Sequence, residues 1–100
     1  MSEIVVKVRK DDPIVSMLKT IMDKSPKDDI ARYDSYECLL RVIVIHDPPY
    51  CETYRIYAVQ TEKDYCYYLV HGCIEHPNYV CSSVRISKDD YRAVLLLISI

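Results

Sequence analysis

Apolar positions change their period early in the chain. Ile14, Met17, Leu18 and Ile21 recur at the three- and four-residue spacing of one helix face. Beyond Tyr36, apolar residues alternate with polar ones or form short β-branched runs, which is the pattern of strands. The pattern therefore predicts a helix near the N-terminus and a sheet in the middle of the chain.

Local start signals place three helices. Asp11-Asp12-Pro13 predicts the start of a first helix, because an Asp oxygen can cap it and Pro13 needs no N–H partner there. Ser25-Pro26 repeats this signal and predicts a short second helix. Ser87-Lys88-Asp89-Asp90 resembles a capping box and predicts a last helix from Lys88 toward Ser99.

Five segments are rich in strand-forming residues and end at turn-forming ones. The predicted strands are Glu3–Lys7, Glu37–Ile45, Thr53–Val59, Tyr65–His71 and Tyr79–Ile86. The predicted fold class is α+β, an antiparallel four- to five-stranded meander sheet with helices packed on one face, in the order β-α-(α)-β-β-β-β-α. A chain of 100 residues suits one compact domain, 1–100.

Side chains of a strand alternate between the two faces of a sheet, so the hairpin registers predict which residues form the core. A turn centred on Glu62 sets Ala58 opposite Cys66 and Ile56 opposite Tyr68. Even-numbered residues then share one apolar face, which we expect the helices to cover. The predicted core residues are Leu40, Val42, Val44, Tyr54, Ile56, Ala58, Cys66, Tyr68, Val70, Val80, Val84 and Ile86.

The opposite face combines tyrosines and arginines, with Tyr57 expected directly opposite Tyr67. Such side chains anchor protein interfaces and can also stack on unpaired bases. The predicted partner-binding residues are Arg41, Arg55, Tyr57, Tyr65, Tyr67 and Arg85. A plainly solvated sheet face is the alternative, but apolar residues on the same face, such as Ile43 and Val59, favour an interface.

The last thirteen residues carry little polar surface after Arg92. A helix that is apolar on all sides is buried on all sides, which in so small a chain indicates a partner. Tyr91, Leu95 and Ile98 are therefore candidate dimer contacts. The alternative is that the end of this segment is a strand.

Five cysteines raise the question of disulfides and metals. The same register sets Cys51 opposite Cys73, within reach of a disulfide, and Cys73 with Cys81 is the rival pairing. Cys73-x-x-His76 has a spacing compatible with zinc, but no paired Cys-x-x-Cys accompanies it, so no metal site is predicted. Cys66 is expected to act as a small buried apolar residue.

Composition excludes several function classes. A net charge of −2 and pI near 5.9 do not suit a general nucleic-acid binder, and one glycine cannot build a phosphate-binding loop. Gln60 and Asn78 are the only carboxamides, which together with abundant cysteine favours a hyperthermophilic origin, where intracellular disulfides occur. With no signal-peptide pattern or membrane-span run, we expect a cytoplasmic protein inside the host cell.

These observations predict a small, thermostable, dimeric protein-binding module without enzymatic activity or cofactor. The composition is typical of an orphan protein from a virus or plasmid of a hyperthermophilic archaeon. The partner would be another protein or a second copy of the chain, not a membrane. A single-stranded nucleic-acid binder using the same face is the alternative, and a metal- or thiol-dependent enzyme is the third.

Overall fold

The structure, a computed structural model, describes residues 3–46, 51–73 and 80–98, with the side chains of residues 73, 80 and 81 excepted. Five strands, two α-helices and one 3-10 turn follow one another in the described ranges. They are β1 Ile4–Arg9, α1 Pro13–Lys24, η1 Ile30–Arg32, β2 Glu37–Ile45, β3 Cys51–Gln60, β4 Tyr65–Cys73, β5 Val80–Ile86 and α2 Lys88–Ile98. The predicted α+β class is confirmed.

The strands form one sheet in sequence order, and β1 runs parallel to β2 while the other pairs are antiparallel. The prediction of a purely antiparallel sheet was therefore wrong. The reason is the connection: β1 reaches β2 through α1 and a long return segment, and such a crossover permits parallel neighbours where a hairpin does not.

The register of β3 with β4 also differs from the prediction. Ala58 lies opposite Tyr67 and Ile56 opposite Leu69. The loop that joins the strands has four residues rather than three, closed by hydrogen bonds from the Thr61 N–H (2.7 Å) and hydroxyl (2.6 Å) to the Asp64 carbonyl. One extra loop residue exchanges the two faces of everything that follows in β4.

The register of β4 with β5 pairs Leu69 with Val84 and Tyr67 with Ile86. Odd-numbered residues of β4 thus lie opposite even-numbered residues of β5, so the side chains of β5 lie on the faces that the sequence predicts. We call the two sides of the sheet the helix face and the outer face. The helix face carries Val6, Val8, Leu40, Val42, Val44, Tyr54, Ile56, Ala58, Tyr67, Leu69, His71, Ser82, Val84 and Ile86. The predicted core members Cys66, Tyr68 and Val70 lie on the outer face instead.

The main core lies between the helix face and the two α-helices. Ile14, Val15, Leu18 and Ile21 of α1 and Val94 of α2 are buried against it. These helix positions repeat at three- and four-residue intervals, as an amphipathic helix that covers a sheet requires. The predicted helical face of α1 is thus confirmed, with Met17 at its edge.

Both α-helices begin at the capping residues that the sequence predicts. The Asp12 carboxylate accepts a hydrogen bond from the Ile14 N–H (3.0 Å), and the Ser87 hydroxyl accepts one from the Asp90 N–H (3.0 Å). Each bond satisfies a backbone donor that the first helical turn leaves unpaired. Lys24, at the end of α1, forms an ion pair with Asp90 (2.9 Å), which ties the two helices together.

The chain after α1 does not form the predicted second α-helix; it wraps around the outside of β5. The Pro26 carbonyl accepts from the Arg85 N–H (3.0 Å), and the Asp28 N–H donates to the Ser83 carbonyl (3.1 Å). The short turn η1 then lies on the outer face, capped by Asp29. Competing hydrogen bonds to the edge of β5 thus replace the helical ones that Ser25-Pro26 could have started.

This wrap creates a second hydrophobic cluster, on the outer face of the sheet. It consists of Ile30, Val59, Cys66, Tyr68 and Val70, with Tyr33 and Tyr57 partly buried against it. Cys66 is 6% exposed and packs as a small apolar residue, as predicted, although on the other face. The sheet is therefore covered on both faces over β4 and on one face over β1 and β2.

A polar network closes this second cluster. The Tyr68 hydroxyl donates to the Asp28 carboxylate (2.7 Å), which also pairs with Arg32 (2.9 Å). Burial raises the pKa of Tyr68, and its hydrogen bonds with Tyr33 and Asp28 add to the effect. Hydrogen bonds to Tyr68 and Tyr33 raise the pKa of Arg32 in turn. The hydroxyl of the buried Tyr68 therefore has hydrogen-bond partners, and it leaves no unpaired donor beside the apolar cluster.

Candidate docking surface on the outer face

The outer face over β1, β2 and the first part of β3 lies beyond the reach of η1. We call it the open half. It consists of Glu3, Val5, Lys7, Arg9, Arg41, Ile43, Ile45, Thr53 and Arg55. Val5 is 50% and Ile45 46% exposed, so the open half combines apolar and charged surface.

Two arginines meet at the centre of the open half. Arg41 of β2 lies directly opposite Arg55 of β3. Like charges at opposed positions of neighbouring strands destabilise a sheet unless a counter-charge compensates them. Arg41 has such a partner, because its guanidinium donates to the Glu3 carboxylate at 2.6 Å.

Arg55 has no comparable partner in the described part of the chain. Within residues 3–46, 51–73 and 80–98, no carboxylate forms an ion pair with it, and the Nε atoms of both arginines are buried without a hydrogen-bond partner. Buried polar atoms are nearly always paired in folded proteins. The Arg55 guanidinium therefore carries a positive charge that no carboxylate of the described residues neutralises.

The charge of the open half opposes that of the whole chain. Its nine positions carry four cations (Lys7, Arg9, Arg41 and Arg55) and one carboxylate, Glu3. The complete sequence has a net charge of −2. Cations are therefore concentrated on a surface that η1 leaves uncovered, and such a surface favours acidic ligands.

Cys38 marks the inner border of the open half. A bulge between Cys38 and Leu40 sets Cys38 opposite Tyr57, where its thiol donates to the Leu40 carbonyl (3.6 Å). Burial raises the pKa of the Cys38 thiol to about 12, and the nearby Glu3 adds to the shift. A thiol with a raised pKa stays protonated at neutral pH, and a protonated thiol is a weak nucleophile.

Tyr57 forms the boundary between the open and covered halves. Its ring meets that of Tyr36 edge to face, with centroids 5.1 Å apart. It is also partly buried against the second cluster. The ring thus gives the open half a rigid aromatic wall, a feature that anchors many protein interfaces.

The structure separates the six predicted partner-binding residues. Arg41, Arg55 and Tyr57 lie together, as described above. Arg85 is on the outer face but on β5, opposite Tyr68, with β3 and β4 between it and Arg41. The prediction of one continuous Tyr/Arg surface was wrong in this respect, because the β4 register sends the remaining two tyrosines to the helix face.

Those two tyrosines have other surroundings. Tyr67 stacks on Tyr91 of α2, with centroids 5.1 Å apart, so α2 covers it. Tyr65 is 52% exposed and lines a cavity of about 420 Å³ at the end of the sheet. The other lining residues are Ser35, Tyr36, Glu37, Ala58 and Gln60.

The predicted dimer contacts in α2 belong largely to the monomer's own core. Tyr91 and Ile98 pack against the main cluster, and Leu95 is half-buried. Burial raises the pKa of Tyr91. Leu96, at 67% exposed, lies in line with Arg92 on the solvent side. Among the described residues of α2, Val94 alone is fully buried, so the helix is amphipathic and not buried on all sides, and its dimer contacts stay a prediction.

The predicted Cys51–Cys73 disulfide is not formed: Cys51 has a free thiol, and Glu52 rather than Cys51 lies opposite Cys73. The shifted β3–β4 register separates the two cysteines. The rival Cys73–Cys81 pairing and the Cys73–His76 metal spacing lie outside the described side chains. Among the described residues, no group of His, Cys, Asp and Glu is arranged to hold a metal ion.

Sequence reasoning missed a polar cluster at one end of the helix face. Glu52 accepts a hydrogen bond from His71 at 2.9 Å and contacts His46 at 3.3 Å, and the Tyr54 ring stacks on His71. Burial disfavours the Glu52 carboxylate, but the two histidines outweigh this and lower its pKa. His71 lies on the same face as Glu52 because even-numbered residues of β3 lie opposite odd-numbered residues of β4, which the predicted register did not allow.

Within the described ranges, no helix has the length and apolar character needed to cross a membrane. No family model matches the chain, and no curated protein or solved structure is significantly similar to it.

Proposed function

We propose that this chain is a non-enzymatic protein-binding module that docks an acidic segment of a partner protein on the open half of the outer face. The observation that carries this proposal is the opposed pair Arg41–Arg55, in which only Arg41 has a carboxylate partner among the described residues. A carboxylate from a partner would pair with the Arg55 guanidinium and offset the repulsion between the two arginines.

The surroundings of the arginines favour a protein over other anionic partners. Ile43, the exposed Val5 and Ile45, and the ring of Tyr57 provide apolar and aromatic contact area beside the charges. Protein interfaces combine these features in their centre, and the arginines supply orientation as well as attraction. An acidic segment that also carries apolar side chains would complement both.

Single-stranded nucleic acid is the second candidate, because phosphates would also be attracted to Lys7, Arg9 and Arg55. The placement of tyrosines argues against it. Stacking of successive bases needs exposed rings, and Tyr67 is covered by Tyr91 while Tyr57 is held edge to face by Tyr36.

A binding experiment separates the two candidates. The probes are a short fluorescein-labelled peptide rich in Glu and Leu, its Lys-for-Glu counterpart, and a labelled oligothymidylate, measured by fluorescence anisotropy. We expect only the acidic peptide to bind well, and Arg55→Ala to weaken it about tenfold through loss of one charge-assisted contact. Arg85→Ala is the matched control, an exposed arginine on the same face outside the open half. Tight oligothymidylate binding that Arg55→Ala abolishes, without peptide binding, would replace the proposal by the nucleic-acid alternative.

We also propose a setting for this module: the interior of a hyperthermophilic archaeal cell, encoded by a virus or plasmid. The supporting observation is compositional, since two carboxamides and one glycine in 100 residues leave few sites for thermal damage or backbone disorder. Free thiols at Cys38, Cys51 and Cys66 are compatible with a cell interior.

A further inference from the structure

We propose that the free edge of β1 docks a second copy of this chain, whose own β1 pairs with it antiparallel so that one sheet continues through the dimer. The partner copy is thus placed at the sheet edge and not at α2. This dimer does not require the acidic segment proposed for the open half, although the two share the residues of β1, and it brings two open halves side by side.

The first observation is an asymmetry between the two edges of the sheet. The chain itself covers β5, through the Pro26 carbonyl and the Asp28 N–H. At the other edge, no strand of the described part of the chain pairs with the outer side of β1. An uncovered strand edge presents backbone donors and acceptors in a row, which is a template for another strand.

The second observation is the exposure of the side chains at this edge. Ile4 is 45% and Val5 50% exposed, on opposite faces of the same strand. Lys7 and Arg9 are also exposed. Charged residues on an edge strand often discourage pairing, so the proposal requires that the partner strand offers them suitable neighbours.

Symmetry restricts the register that two identical strands can adopt. Antiparallel pairing of two copies places a two-fold axis normal to the sheet, so the helix face of one copy continues as the helix face of the other. Opposed side chains of an antiparallel pair lie on the same face. Each register that keeps the faces is therefore centred on one residue, which meets its own copy.

Centring on Val6 gives complementary neighbours along the whole strand. Ile4 then lies opposite Val8 of the partner subunit, and Val6 meets Val6 of the partner subunit, which extends the apolar helix face. On the outer face, Glu3 lies opposite Arg9 of the partner subunit and Val5 opposite Lys7 of the partner subunit. Opposite charges at opposed positions stabilise a strand pair.

The neighbouring registers are poorer. Centring on Lys7 would bring Lys7 against the partner's Lys7, a like-charge pair at the symmetry axis. Centring on Val5 would leave Val8 and Arg9 without opposed partners among residues 3–9. The register centred on Val6 is the one that uses every residue from Glu3 to Arg9.

Solution mass tests the edge directly, by sedimentation equilibrium on the full chain without any peptide. Val5→Lys and Val5→Glu form a matched pair at an exposed position. We expect Val5→Lys to raise the dimer Kd about tenfold through two like-charge contacts with Lys7 of the partner, and Val5→Glu to lower it. Arg55→Ala should leave the dimer mass unchanged, so that failure of the dimer and failure of acidic-segment docking are seen separately.

Cross-linking tests the register. Val6→Cys, Val5→Cys and Lys7→Cys are oxidised in parallel with the unmodified protein, and covalent dimer is measured by intact mass without reductant. We expect Val6→Cys alone to exceed the background of the native cysteines, because its two sulfurs meet at the axis. A monomer at high concentration, equal responses to Val5→Lys and Val5→Glu, or preferential cross-linking of Val5→Cys or Lys7→Cys would overturn the proposal.

Discussion

Leu69 and Val70 are consecutive residues of β4 that lie in two different hydrophobic clusters, one on each face of the sheet. Leu69 is fully buried under the helices, and Val70 is 6% exposed beneath the segment that wraps around β5. A strand buried on both faces cannot show a simple apolar–polar alternation. β4 thus contributes buried side chains to both hydrophobic clusters, although it is the fourth of the five strands in the sheet order.

Truncation of either residue should therefore destabilise the protein. We expect Leu69→Ala to lower the free energy of unfolding by about 3 kcal/mol and Val70→Ala by about 2 kcal/mol, because each leaves a cavity in a packed cluster. Chemical denaturation measures both. Leu96→Ala, at an exposed position of α2, is the control and should cost less than about 0.5 kcal/mol. A Val70→Ala protein as stable as the control would show that the outer cluster contributes nothing.

The Tyr68 hydroxyl should contribute through its hydrogen bond to Asp28 (2.7 Å). Tyr68→Phe leaves the ring in place and removes the bond, with an expected loss of about 1–2 kcal/mol because the Asp28 carboxylate is charged. Tyr65→Phe, at an exposed position, is the matched control.

The same residue predicts an effect of alkaline pH. Burial and hydrogen bonding raise the pKa of Tyr68 above that of an unfolded tyrosine, about 10. The resulting stability is present below the unfolded pKa and is lost as pH rises through the folded one. In a spectrophotometric titration of the native protein, Tyr68 and the half-buried Tyr91, whose pKa is also raised, should both ionise late, and Tyr68→Phe should remove the Tyr68 part of that late step. A variant with an unchanged titration curve would contradict the assignment.

The lowered pKa of Glu52 predicts a loss of folding stability at acid pH. Its hydrogen bonds with His71 and His46 hold the pKa below that of an unfolded glutamate, about 4.3, so its contribution is present above that pH and lost as pH falls through the folded pKa. Glu52→Gln should lower stability at neutral pH by about 1 kcal/mol and flatten the fall in stability on acidification. Denaturation midpoints measured along a pH series test this. Glu62→Gln, in the exposed β3–β4 loop, is the control and should keep the wild-type dependence of stability on pH. If Glu52→Gln showed the same dependence as Glu62→Gln, the role of the cluster of Glu52, His46 and His71 would be refuted.

The amino-acid sequence was sufficient for the positions and types of most elements. The bounds of β2 and the start of α2 match the prediction, and the Asp12 and Ser87 caps form as expected. These features depend on local interactions: side-chain periodicity, capping hydrogen bonds and the missing N–H of Pro13 act within one or two turns of chain. Arg41 and Arg55 lie on the same face of the sheet, as predicted, but their direct opposition across β2 and β3 was not predicted.

Which side chains lie on each face of β4, and which elements cover the two faces of the sheet, was decided by the tertiary structure alone. One more residue in the loop from Thr61 to Asp64 turned Tyr67 and Leu69 toward the helices and Tyr68 outward, a difference too small for residue types to reveal. The wrap of residues 26–33 around β5 depends on hydrogen bonds to Ser83 and Arg85, more than fifty residues away in the chain. That wrap covers the outer face over β4 and the end of β3, and it leaves β1, β2 and the first part of β3 open. Within the described part of the chain, an Arg55 without a carboxylate partner and a β1 edge without a neighbouring strand therefore follow from long-range packing that local sequence does not encode.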